Sequence, residues 1–247
     1  MTHKLNIGRV LRYGFDRVTT RGGAMLLGAY VLFQLANQVG FQSLVFGLLA
    51  ETVSEDQLSQ GYPLAVDMPT TVSAGLIVLL MIAGLALGVV TMRAIYADID
   101  SLPTADHTRR LGRTVGVAFV VMVITTLAVM IAMPFFLLPG IYVGISLMFA
   151  YIVVAIEDAG VVESLERSWE LASGNRLELF GLGFVLVVVG GMTGALVAIV
   201  GLFVPVVSIL GLPIAIGVLS VYSVAVQVGA YRQLAGESET TSSAASW

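Results

Sequence analysis

VGVAFVVMVITTLAVMIAMPFFLLPGIYVGISLMFAYIVVAIE, residues 115–157, decides the fold. No charged side chain interrupts it between Val115 and Ile156. A helix needs about 20 apolar residues to cross the roughly 30 Å of bilayer hydrocarbon. This stretch is long enough for two, and Leu138-Pro139-Gly140 supplies the punctuation between them. The reading is an antiparallel pair of membrane helices, 115–138 and 141–156. Lipid offers backbone groups no water to bond, so the spans are helical, and the alternation of a β-barrel strand is absent.

The same reading, extended outward, gives four more spans: 23–50, 72–92, 177–203 and 207–231. With both termini on one side, all twelve Lys and Arg fall on that side. They are Lys4, Arg9, Arg12, Arg17, Arg21, Arg93, Arg109, Arg110, Arg113, Arg167, Arg176 and Arg232. Basic flanks are retained in the cytoplasm during insertion, so both termini are expected to be cytoplasmic and the protein to be multi-pass in the cell membrane. The 51–71 loop, with Glu51, Glu55, Asp56 and Asp67 and no base, falls on the other side.

Composition agrees. The chain is 57% hydrophobic and 11% charged, against about 25% charged for soluble domains, and its mean hydropathy is +0.96. The fold class expected is all-α, a single polytopic domain over 23–234. An amphipathic segment, 1–22, precedes it, and a disordered Ser/Thr/Glu/Ala-rich tail, 235–247, follows. No small-residue cleavage site ends a short apolar core in the first 22 residues, so the first span is expected to be an uncleaved anchor. The net charge of −4 says little about partners.

Two cytoplasmic segments carry helical apolar stripes beside charge. In the first, Ile7, Leu11, Phe15 and Val18 recur with Arg9, Arg12 and Arg17 between them. In the second, over 161–173, Val162, Leu165, Trp169 and Ala172 oppose Glu163, Glu166, Arg167 and Glu170. Both read as helices lying at the membrane interface, with Trp169 at headgroup level; a cytosolic helix for a soluble partner is the alternative. The segments also align with each other. Leu11-Arg12-Tyr13-Gly14-Phe15-Asp16 matches Leu165-Glu166-Arg167-Ser168-Trp169-Glu170, and Thr19, Tyr30 and Leu32 then meet Ser173, Phe184 and Leu186. At the end of each following hairpin, Ala94-Ile95-Tyr96 faces Gly229-Ala230-Tyr231. The pattern reads as a parallel repeat, an interfacial helix and two spans, a middle hairpin, then the same unit again, with chance similarity between apolar helices as the alternative.

Residues 138–186 carry a Pro139-Gly140 start, a Glu157 exit, and Ser164-Leu165-x-Arg167-Ser168-Trp169-x-Leu171 followed by Gly174-Asn175-Arg176. This stretch resembles the membrane domain of glycerophosphoryl diester phosphodiesterases and its stand-alone relatives of unknown function. In the bacterial enzymes a soluble phosphodiesterase domain follows the membrane part. Here the chain stops soon after the last span, so the resemblance implies a membrane module without the catalytic half and no hydrolase activity.

Chemistry-bearing motifs are few. With no Cys there is no thiolate or Cys metal site, and only His3 and His107 offer an imidazole. Asp98, Asp100 and Asp106 near His107 read as a solvated loop rather than a metal site. No buried Ser/His pair, intramembrane Asp pair, His-Glu-x-x-His or phosphate loop is present. The expectation is a chain that is not an enzyme, without cofactor or metal, and with no nucleic-acid partner.

Gln34, Asn37, Gln38 and Gln42 form a polar stripe in the first span. It reads as interhelical hydrogen-bond glue, or else as the wall of a cavity or headgroup site. No ionisable residue lies well inside any span, which counts against an ion-coupled carrier. Gly84/Gly88, Gly140/Gly144 and Gly190/Gly194 allow close helix packing, with self-association into a homo-oligomer as the alternative. Pro134 and Pro213 are expected to kink their spans. Arg109, Arg110, Arg113, Glu157, Arg167, Trp169 and Arg176 are the candidate contacts to anionic lipid or a membrane or cytosolic partner. The function expected is a non-enzymatic membrane scaffold or regulator acting with a partner or lipid. A transporter or permease-like protein for a small or lipidic solute is the alternative.

Overall fold

The computed structural model describes residues 4–98, 110–135, 137–204 and 206–236, and among them there is no strand. The protein is an all-α, multi-pass membrane protein. Six of its helices are long and apolar enough to span a bilayer. In chain order the elements are α1 (Ile7–Val18), α2 (Arg21–Leu49), α3 (Glu55–Gly61), α4 (Thr70–Tyr96), α5 (Leu111–Phe135), α6 (Leu137–Ser146), α7 (Ala150–Glu157), α8 (Val161–Ala172), α9 (Arg176–Gly201) and α10 (Leu212–Leu234).

The chain forms two compact units. One comprises Met1–Ala24, Gly88–Val187 and Tyr222–Trp247, and the other Met25–Leu87 and Val188–Val221. In the first, Ala118 and Val121 of α5 pack on Ala150 and Val154 of α7, with Val161 and Leu165 of α8 against them. In the second, Gln42 and Ser43 of α2 accept the backbone N–H groups of Leu64 and Val66 (both 2.8 Å). That fixes the loop after α3, whose Leu58 is buried.

Three boundaries differ from the sequence expectation. α5 ends at Phe135 and α6 begins at Leu137, so Pro139 lies in the first turn of α6, where its missing N–H has no intrahelical acceptor to lose. The fourth span is broken between α6 and α7 at residues 147–149. The last span opens with a π-helical turn, Val207–Gly211, and becomes α-helical at Leu212. Pro213, in the first turn of α10, lacks the N–H that would continue a regular ladder back into that turn. The side chain of Pro134, the tail from residue 237 and the Asp100, Asp106 and His107 loop lie outside what is described.

α1 is capped by Asn6, whose side chain accepts from Arg9 N at 3.0 Å. Thr20 caps α2 by accepting from Gly23 N at 3.0 Å. The α1–α2 turn is so tight that a Cβ on Gly23 would lie 2.3 Å from the Arg17 carbonyl oxygen. Between α8 and α9 the turn is made by Gly174 in the left-handed region, φ 84°.

The two segments that carry apolar stripes form the expected helices, α1 and α8. In α1 the buried positions are Val10 and Gly14, while Phe15 is exposed. A Cβ on Gly14 would lie 2.5 Å from Val226 Cγ2, so α1 lies directly against α10 there. In α8 the buried residues are Ser164, Ser168, Leu171 and Ala172, while Val162 and Trp169 are exposed. Each helix seats a small residue against the protein, Gly14 in α1 and Ser168 in α8.

Candidate functional site

The first unit collects four ordered groups around arginine. The first joins α1 to the ends of α4 and α10. Asp98 ends α4 in the left-handed conformation, φ 55°, which Asp tolerates better than most residues. Its carboxylate pairs with Arg17, accepts from Arg232 Nη1 at 2.8 Å and lies 3.4 Å from the Tyr13 hydroxyl. Arg232 also donates to that hydroxyl (3.2 Å). Both guanidinium groups lie over the Tyr13 ring, at 5.2 and 5.7 Å. Burial pushes the Tyr13 hydroxyl above its ordinary pKa; the Arg232 hydrogen bond opposes the rise and the Asp98 charge adds to it. Beside this cluster is a cleft of ≈ 230 Å³ lined by Arg9, Tyr13, Arg17, Asp98, Gly229, Arg232 and Gln233. Its three arginines against one carboxylate favour an anion.

The second group ties α4, α5 and α7. Arg93 donates through Nε to the Ala155 carbonyl (2.6 Å) and through Nη2 to Thr114 (3.1 Å) and Asp158 (2.7 Å). Thr114 donates to the same Asp158 oxygen at 2.9 Å. Asp158, like Asp98, ends its helix in the left-handed region, φ 54°. In the third group Glu157 accepts from the Tyr231 hydroxyl at 2.5 Å, and Arg167 lies 3.7 Å from Glu157 and 3.6 Å from Glu170.

The fourth group sits at the break between α6 and α7. Ser168 of α8 donates to the Ser146 carbonyl (2.9 Å) and accepts from Phe149 N (3.1 Å), taking up backbone groups that the break sets free. Arg176 donates through Nε to Ser146 Oγ at 3.1 Å. Its guanidinium lies 4.5 Å over the Tyr142 ring and 5.2 Å over the Trp169 ring, and these rings meet edge to face at 5.6 Å. Next to it, Gly144, Ile145, Met148, Leu179, Phe180, Gly183, Phe184 and Val187 line a groove of ≈ 340 Å³.

The candidate residues are thus divided. Glu157 and Arg167 meet, as do Trp169 and Arg176, whereas Arg110 and Arg113 are exposed. Arg109 lies outside the described residues. The polar stripe does not act as one wall: Gln42 is buried with its oxygen taken by the loop, Gln34 and Gln38 are half-buried, and Asn37 is exposed. Gly84 and Gly88 receive aromatic side chains, with Phe33 Cζ and Tyr151 Oη at 2.7 and 2.5 Å from the built Cβ positions. Around Gly190 and Gly194 there is open space. Among the described residues no group of three or more His, Asp or Glu could hold a metal ion.

From sequence, Arg93, Tyr13 and Arg232 carried no site signal, Asp98 read as part of a solvated loop and Asp158 as the charged end of a span. Arg93 and Arg232 stand apart from the basic patches, each near a helix C-terminus, where a lone cation is explained by the helix dipole alone.

No curated protein and no solved structure matches the chain. Residues 5–235 match the family described as Domain of unknown function (DUF7847). That match runs from just before α1 to the end of α10, and the chain belongs to this family.

Proposed function

We propose that this protein is a non-enzymatic module of the cell membrane, with both termini cytoplasmic, that acts on anionic lipid or a membrane-associated partner through its arginine-bearing surface. The cleft beside Asp98 carries the reading. It holds Arg9, Arg17 and Arg232 against one carboxylate, and guanidinium groups in a preformed site suit phosphate oxygens. The distribution of Lys and Arg supports the orientation, because it puts this cleft on the cytoplasmic leaflet, where anionic lipid attracts basic residues. The resemblance of residues 138–186 to the membrane part of glycerophosphoryl diester phosphodiesterases supports a module that works beside a catalytic or regulatory partner.

Purification in mild detergent, followed by native mass spectrometry, is expected to find anionic phospholipid or one stoichiometric protein with the chain. Recovery of neither, or of zwitterionic lipid alone, overturns the reading. The absence of Cys makes the topology directly testable. Gln60→Cys and Pro103→Cys are expected to label from opposite faces, with position 103 labelled from the cytoplasm, and labelling from one face ends the six-span arrangement.

A further inference from the structure

One turn along α9 from Phe180 of the groove between α6 and α9 is an arginine held by a hydroxyl and two rings. Arg17 and Arg232 share Asp98, Arg93 has Asp158, and Arg167 has Glu157 and Glu170. Among the described residues no carboxylate pairs with Arg176. Glu178, the acid nearest in sequence, is two residues on, and side chains at that spacing point to different sides of a helix. Arg176 is instead held by Ser146 Oγ and two aromatic rings, which fix the plane of its guanidinium and leave its charge unneutralised.

The groove beside it is built for a chain rather than a headgroup. Every residue lining it is apolar, and its volume of ≈ 340 Å³ is at the small end of the roughly 300–1,000 Å³ of ligand pockets. From Leu179 to Val187 it follows α9 for about 12 Å. Gly183 opens it, with nothing within 4 Å of where its Cβ would be. Arg176, Phe180 and Gly183 are spaced to share one face of α9, so the charge and the groove are consecutive on a single helix face. A membrane-spanning protein meets one abundant molecule with an anionic group at one end and a hydrocarbon chain at the other.

We propose that this is a phospholipid site, in which Arg176 holds the phosphate of an anionic phospholipid and the groove takes one of its acyl chains. It deepens the proposed lipid contact and rests on the chain being membrane-embedded, but it uses different residues from the cleft beside Asp98.

Trp169 reports on the site, because it is one of two tryptophans and the other, Trp247, is replaceable by Phe. The full chain carrying Trp247→Phe is reconstituted in vesicles that hold a minor fraction of phosphatidylglycerol or phosphatidylcholine brominated on the acyl chain. At equal mole fraction the anionic lipid is expected to quench Trp169 with about fivefold higher apparent affinity, the factor for one arginine near an anionic surface. Arg176→Gln is expected to abolish that preference, while Arg12→Gln, on the exposed side of α1, leaves it in place. Gly183→Leu fills the groove and is expected to lower quenching by both lipids; the open space at its Cβ lets this variant fold and decide the matter if Arg176→Gln is not recovered. Equal quenching by the two lipids, a preference that survives Arg176→Gln, or quenching unchanged by Gly183→Leu each overturns the site. If those results come with anionic lipid still bound in native mass spectrometry, the site fails while the broader function stands.

Discussion

α1 and α8 are both twelve residues long and both lead into a long apolar helix, yet opposite chemistry holds them. The alignment that pairs Leu11 with Leu165 pairs Val10 with Ser164 and Gly14 with Ser168. Both pairs are buried, and α8 buries Leu171 and Ala172 as well. The side chains at these paired positions differ in kind. α1 is packed by shape, with Gly14 against Val226, and latched by charge at Asp98. α8 is stitched by hydroxyls, because Ser168 completes the backbone of a broken span. The partners of the aligned hairpin ends, Tyr96 and Tyr231, touch edge to face at 6.2 Å. Helix lengths, two buried positions and the meeting tyrosines fall at equivalent places in the aligned segments.

The largest break in this comparison comes from Ser168→Val. It keeps a side chain of similar size but leaves the Phe149 N–H and the Ser146 carbonyl without their partner. At about 1–3 kcal/mol for each orphaned buried group, the expected loss is on the order of 3 kcal/mol in denaturant unfolding monitored by helical circular dichroism in detergent. A loss below about 1 kcal/mol would mean that the α6–α7 break satisfies itself.

Gly14→Ala is the matching change in α1. Its new methyl would lie 2.5 Å from Val226 Cγ2 and 3.3 Å from Val226 N. Valine has little rotamer freedom to yield and backbone has less, so overpacking of about 1–3 kcal/mol is expected. The diagnostic result is local: amide exchange rises in α1 and stays unchanged in α8. Equal loosening of both would merge the two modes of attachment.

What was legible in the sequence follows the reach of the forces involved. Spans were legible because hydropathy is local: no charge interrupts Val115 to Ile156. The α6–α7 break was not, because Leu147, Met148 and Phe149 are ordinary in a membrane helix and the group that stabilises the break is Ser168, on another helix. The helical periods of α1 and α8 were legible, but the residues that seat them in the protein were not, because close packing selects Gly14 and Ser168, which carry no apolar signal. α3 had a readable signature, with Ser54 before Glu55 and Asp56 at a helix start. Of the candidate contacts, Arg176 and Trp169 did come together, but their groove depends on Gly144 and Gly183, which only the fold brings near each other.

Asp98→Asn sharpens the comparison on the charge side. It removes the carboxylate that Arg17 and Arg232 share. The Asp98 side chain is 37% exposed, so solvent screens the loss, and about 1 kcal/mol is expected rather than the several of a buried pair. Limited proteolysis within α1 is expected to quicken, with α8 unaffected. Stability unchanged in Asp98→Asn at low salt would assign the attachment of α1 to Gly14 alone.

The smallest effect is a pH dependence confined to α1, which carries Tyr13, whereas α8 carries no tyrosine. Burial raises the Tyr13 pKa in the folded protein, with Asp98 adding to the rise against the Arg232 hydrogen bond. Above the ordinary tyrosine value of about 10, the unfolded chain ionises while the folded protein still holds the proton. The folded state then binds more protons, so stability falls as pH rises. The contribution is therefore complete below about pH 10 and is lost as pH climbs through the raised folded value. Hydrogen exchange of α1, corrected for its intrinsic pH dependence, is expected to increase across that window while α8 follows the intrinsic curve. Tyr13→Phe is expected to flatten the α1 response, at the cost of the hydroxyl's bond from Arg232 at every pH. If α1 in Tyr13→Phe keeps the same alkaline loosening, the titrating group is elsewhere and the tyrosine serves the latch only as the ring under its two arginines.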